Sequence, residues 1–96
     1  MTKRKVCFLL LSLLLLACGK GGDYEQMHEH LMKAKAQNEN YEPFVSDSMM
    51  LSVADYFDRN GTDNEKMLAH YLLGCVYRDL GDMPRSLECY HQAVAC

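Results

Sequence analysis

The sequence has no apolar run long enough to cross a membrane, no C-x-x-C pair and no tryptophan. A membrane-spanning helix needs about 20 consecutive apolar residues. The longest apolar stretch here, Val6 to Ala17, has twelve, with Ser12 as its one polar member. Without C-x-x-C spacing the common cysteine metal sites are excluded. No segment alternates polar and apolar residues over the length of a strand, which argues against a sheet. There is also no nucleophile beside a base, no glycine-rich phosphate loop and no credible pair of carboxylates, so enzymatic activity is not expected.

What is present begins with a leader. Lys3, Arg4 and Lys5 precede the apolar stretch, and small Ala17 closes it. Positive charge, a short apolar core and a small residue form the pattern of a secretory signal, which places the mature start after residue 17. Residues 18–96 then carry seven Lys and Arg against thirteen Asp and Glu, a net charge of −6. An acidic surface repels phosphate backbones, so nucleic acid is not an expected partner of this segment. At 79 residues the mature chain holds one small domain at most. Of its four cysteines, Cys18 directly follows the leader, which leaves Cys75, Cys89 and Cys96. Cys75 and Cys89 read as small apolar residues of helix packing. A Cys75–Cys89 bridge is the alternative in an oxidising compartment.

The remaining residues read as four helices. Asp23, with Gln26 three residues on, opens the first as a capping box. Tyr24, Met27, Leu31 and Ala34 form its apolar face, and the polar run Gln37 to Asn40, followed by Pro43, ends it. The second is expected to start at Ser46, with Val45 and Met50 as a hydrophobic staple. Met50, Val53, Ala54 and Phe57 are its buried face, and Asn60-Gly61 is its stop. Thr62 and Glu65 form a capping box for the third, whose apolar positions run from Met67 to Leu80. Gly81 stops it and Asp82 caps the fourth. Pro84 falls in the first turn of that helix, where its missing N–H does no harm. Leu87, Tyr90 and Val94 are expected to face inward there. The expected fold is all-α, built from antiparallel helical hairpins.

Two resemblances follow from these residues. Leu15-Leu16-Ala17-Cys18 resembles the lipobox of bacterial lipoproteins, although Leu16 is bulkier than usual at its position. The resemblance implies a diacylglyceryl thioether on Cys18 and an acyl chain on its amine. Several chains anchor stably where one is marginal, each buried CH₂ contributing about 0.8 kcal/mol. Residues 18–22, with Gly19, Lys20, Gly21 and Gly22, read as a flexible tether. No Asp stands beside Cys18, so outer membrane is favoured over inner as the site of this cell-envelope protein.

Residues 67–96 resemble a tetratricopeptide repeat, a two-helix unit of 34 residues. Leu73-Gly74 with Tyr77 matches the first-helix element, Gly81-Asp82 matches the turn, and Ser86, Tyr90 and Ala93 match the second helix. His70 stands where the pattern opens with tryptophan. With the lipobox, the layout is similar to the tetratricopeptide lipoproteins of Gram-negative gut commensals. The resemblance implies a partial solenoid, with a helical hairpin at 23–61 and one repeat at 62–96. One 34-residue period before Gly74 lies Asn40, outside any helix, so the first hairpin is not a clean copy. Because arrays need about three units or a cap, the chain is expected to be truncated or the N-terminal piece of a longer protein.

The resemblance further implies a protein–protein interaction scaffold whose groove is lined by Leu68, Tyr71, Cys75, Arg78 and Asp79 and holds a protein or peptide partner. The clamp that some members use for C-terminal carboxylates is not matched, since Tyr71 and Cys75 occupy two of its positions. The alternative is the sensor end of a membrane-bound transcriptional regulator whose output region lies elsewhere. No cofactor or metal is expected. His28-Glu29-His30 places its histidines two apart, where helical side chains diverge, whereas zinc pairs sit four apart. Asn60-Gly61-Thr62 reads as a helix stop and start, and Met49-Met50 as packing residues.

Overall fold

The structure is a computed structural model that describes residues 22–96, so the expected signal segment, Cys18 and most of the expected tether lie outside the described residues. Every described regular element is an α-helix: α1 over 22–39, α2 Ser48–Asn60, α3 Asp63–Asp79 and α4 Met83–Ala95. Gly22 is already helical, which places Asp23 inside α1 and not at its cap. Among the described residues, no helix is long and apolar enough to cross a membrane.

Cross-helix bonds define the layout. His70 on α3 meets Asp58 near the end of α2, and Tyr77 near the end of α3 meets Asp47 at the start of α2. These two helices are therefore antiparallel. Gly74 of α3 meets Ser86 of α4, and Tyr71 meets Tyr90, so α4 is antiparallel to α3 as well. Tyr24 of α1 bonds Glu65 at the start of α3, whereas Asn38 accepts from Arg78 at its end. Thus α1 and α3 lie parallel, side by side, with α2 packed against both.

Most helix ends have the local chemistry their residues suggest. Thr62 Oγ1 accepts from the Glu65 N–H at 3.2 Å while Glu65 Oε1 accepts from the Thr62 N–H at 2.9 Å, a complete capping box. Gly81 takes φ +81, the left-handed conformation that glycine adopts without a Cβ penalty. Asp82 Oδ1 then accepts from the Arg85 N–H, with Pro84 in the first turn of α4.

The start of α2 differs from expectation. It begins at Ser48 and not Ser46, because Asp47 at its cap spends its carboxylate on the Tyr77 hydroxyl, 2.9 Å away. Ser46 instead accepts from the Ser48 N–H. Val45 is 87 % exposed and staples nothing; its neighbour Phe44 is buried, its N–H held by Asp79 Oδ2 at 3.0 Å.

The core centres on Leu31, Val53, Phe57, Leu72, Cys75 and Val76, all fully buried. Burying a large side chain of this kind contributes about 1.5–3 kcal/mol. Two expected core residues of α4 are outside it: Leu87 is 55 % exposed and Val94 87 %, while Ser86, Cys89 and Ala93 face inward. The cause is the close approach at Gly74, where a Cβ would stand 2.5 Å from Tyr90 Cε1 and 3.2 Å from the Ser86 carbonyl. Ser86 Oγ donates to the Gly74 carbonyl at 2.7 Å. Small residues bring the helices together, and that choice rotates Leu87 and Val94 outward.

Buried positions recur between the two hairpins. Met50, Val53, Ala54 and Phe57 of α2 correspond to Ser86, Cys89, Tyr90 and Ala93 of α4, each 36 residues on. Met27, Leu31 and Ala34 of α1 correspond to Leu68, Leu72 and Cys75 of α3, each 41 residues on. The mismatch lies in the α1–α2 connection, residues 40–47, which is longer than residues 80–82 between α3 and α4. A single 34-residue period therefore misses the internal correspondence.

Candidate binding clefts

The exposed face of α3 carries Tyr71, 44 % exposed, between two clefts. On one side lies an apolar cleft of about 400 Å³, lined by Met67, Leu68, Tyr71, Tyr90, Ala93 and Val94. The Tyr71 and Tyr90 rings sit 5.7 Å apart across it, tilted by 33°. On the other lies a polar cleft of about 530 Å³. Its α3 wall is Tyr71, Arg78 and Asp79; the opposite wall comes from the end of α1 and the following turn, with Asn38, Glu39, Tyr41 and Glu42.

The α3 wall of the polar cleft is fixed by charge. Asp79 Oδ1 accepts from Arg78 Nε at 3.1 Å, and Arg78 reaches Asn38 Oδ1 at 3.0 Å. Burial pushes the Asp79 carboxyl up, but the Phe44 N–H and the Arg78 guanidinium outweigh it and hold Asp79 below the usual carboxylate range. The hydrogen bond from Arg78 to Asp79 in turn raises the guanidinium further.

The opposite wall holds an unusual residue. Tyr41 has φ +58, the one positive φ outside glycine among the described residues, and the residue is 93 % exposed. Its turn repeats the geometry at Gly81. Glu42 N donates to Gln37 O and Tyr41 N to Asn38 O, as Asp82 N does to Tyr77 O and Gly81 N to Arg78 O. A non-glycine residue held there costs about 1–2 kcal/mol.

The sequence-derived groove residues therefore divide between the clefts. Leu68 and Tyr71 line the apolar one; Tyr71, Arg78 and Asp79 line the polar one. Cys75 lines neither: it is fully buried, its sulfur 3.7 Å from the Tyr90 hydroxyl. The helical register that packs Leu72 and Val76 inward also turns Cys75 into the core. The packing residues Leu73, Gly74, Tyr77, Ser86 and Ala93 are buried and Tyr90 is partly so, with Gly81 at the turn. Cys75, Cys89 and Cys96 are all free thiols, and burial pushes the Cys89 thiol up, away from the reactive thiolate. His70 is buried with Nε2 on Asp58 Oδ1 at 2.7 Å and no partner at Nδ1. His28 stacks on Tyr24, and among the described residues no three His, Cys, Asp or Glu side chains gather as a metal site.

Tyr41, Glu39 and Glu42 escaped the sequence reading because a polar run before Pro43 looks like a simple helix stop. The available signal was the lack of glycine at a position where the chain must turn left-handed. Compared with protein-family models, curated proteins and solved structures, the chain matches none.

Proposed function

We propose that this protein is a lipid-anchored lipoprotein of the cell envelope whose tetratricopeptide-type helical hairpins hold a partner protein. The observation that carries the binding part is the pair of clefts flanking Tyr71, a wholly apolar one between α3 and α4 and a polar one between α3 and the end of α1. Apolar walls beside fixed polar groups suit a peptide segment, with side-chain pockets supplying specificity. The repeat reading is supported by Gly74 against Ser86 and Tyr90, the contact that the repeat pattern requires. The correspondence of buried positions between the hairpins supports it further.

The anchor reading is supported by Leu15-Leu16-Ala17-Cys18 after a twelve-residue apolar stretch. Catalysis has no place in this reading. The test is Cys18→Ser in the full chain expressed in a Gram-negative host fed labelled fatty acid. Loss of label and release from the membrane fraction are expected. Continued membrane association without label in the unsubstituted protein would mean that the leader remains as an uncleaved anchor.

A further inference from the structure

We infer that the polar cleft takes a Lys or Arg side chain of the partner, so that the bound segment is basic with an apolar neighbour. The inference deepens the scaffold reading and rests on it. Tyr41 is the starting point. It occupies a left-handed turn position that glycine fills at Gly81, and the residue is 93 % exposed. The ring therefore adds little to the core, while the backbone beneath it is strained. Strain of this kind persists where a side chain has a use, and the use on offer is the cleft that Tyr41 shares with Tyr71.

The charge of that cleft selects the ligand. Its one cation, Arg78, is already matched by Asp79 and bridged to Asn38. Glu39 engages Lys35 in an exposed i,i+4 pair of the kind that contributes little, and among the described residues no cation reaches Glu42. Aromatic faces with a spare carboxylate attract an ammonium or guanidinium group. The net charge of −6 over residues 18–96 steers basic segments toward the surface and acidic ones away. Tyr71 separates this cleft from the apolar one, so a segment seated on both places a cationic side chain on one side of that ring and an apolar one on the other.

The test uses the full chain in mild non-ionic detergent and fluorescence anisotropy with three labelled probes: a lysine–leucine peptide and its glutamate–leucine and glutamine–leucine counterparts. The lysine peptide is expected to bind most tightly. Tyr41→Gly should weaken it about tenfold, the size of a lost cation–π contact, while the thermal midpoint stays or rises because the turn is relieved. Glu42→Gln should weaken the same peptide and flatten its salt dependence. Equal binding of the lysine and glutamate peptides overturns the inference, as does unchanged binding by Tyr41→Gly. If the glutamine peptide binds as tightly as the lysine one and ignores Tyr41→Gly, the scaffold reading stands and only the cationic ligand falls. Failure of all three peptides removes both.

Discussion

At the scale of single residues, Gly74 shows how one missing side chain sets the position of a helix. Two effects compete when a methyl group is added there. Alanine is a better helix former than glycine by about 1 kcal/mol. Against that, the new Cβ would stand 2.5 Å from Tyr90 Cε1 and 3.2 Å from the Ser86 carbonyl oxygen. Overpacking of this degree costs about 1–3 kcal/mol, and the Ser86–Gly74 hydrogen bond resists a simple retreat of α4. The clash should win. Gly74→Ala is expected to lower stability by about 1 kcal/mol in urea denaturation followed by circular dichroism. In a Tyr90→Ala background the ring is gone, so the same substitution should become neutral or stabilising. Equal destabilisation in both backgrounds would move the cause away from Tyr90. His70 makes a related point: it is buried in α3, but its bond to Asp58 could not be read from neighbouring residues, because the partner lies on another helix.

At the scale of helices and their connections, what could be read in advance was what neighbouring residues settle among themselves. Thr62 with Glu65, and Gly81 with Asp82 and Pro84, define helix ends through bonds that span three or four residues, and the structure has them as read. Ser46 misled because the start of α2 is set from a distance: Tyr77 takes the Asp47 carboxylate, and Asp79 takes the Phe44 N–H. Leu87 and Val94 misled because apolar spacing gives two adjacent faces on a short helix, and Gly74 on the facing helix decides between them.

The connection before α2 also carries a pH dependence. Asp79 is held below the ordinary carboxylate range, so its contribution is complete above the unfolded value of about 3.9. It is lost as pH falls through the lower folded value, because the unfolded chain takes up the proton first. Glu65, lowered by the Thr62 N–H and then by the Tyr24 hydroxyl, acts in the same direction. Asp79→Asn is expected to cost about 1–2 kcal/mol at pH 7, the loss of charge-assisted bonds at a partly exposed site. The gap to the unsubstituted protein should narrow as pH falls below the unfolded value of about 3.9 and close once the folded carboxyl is itself protonated, as measured by thermal melts across the acid range. A gap of constant size would show that the Asp79 charge does not tie Phe44 to α3.

For the molecule as a whole, the question is whether α1 belongs to the same cooperative unit as the α2–α4 layer. Four ties join it: fully buried Leu31, the Tyr24–Glu65 hydrogen bond, the edge-on Tyr24–Phe57 pair at 6.2 Å, and the Asn38–Arg78 bond. Leu31→Ala removes the largest of them and should cost about 2–4 kcal/mol, the usual range for an emptied leucine site. Leu87, with the same side chain but 55 % exposed on the outer face of α4, should change stability by less than about 0.5 kcal/mol when made alanine. The comparison places the core on the inner side of α4 and leaves its outer apolar face free for contact with another surface. If α1 folds with the rest, Leu31→Ala should move one sharp transition to lower denaturant, with circular dichroism and tyrosine fluorescence coinciding. Two separated transitions in that variant would show α1 to be an add-on to a three-helix unit. In that case the polar cleft, whose far wall is the end of α1, would open and close with α1 itself.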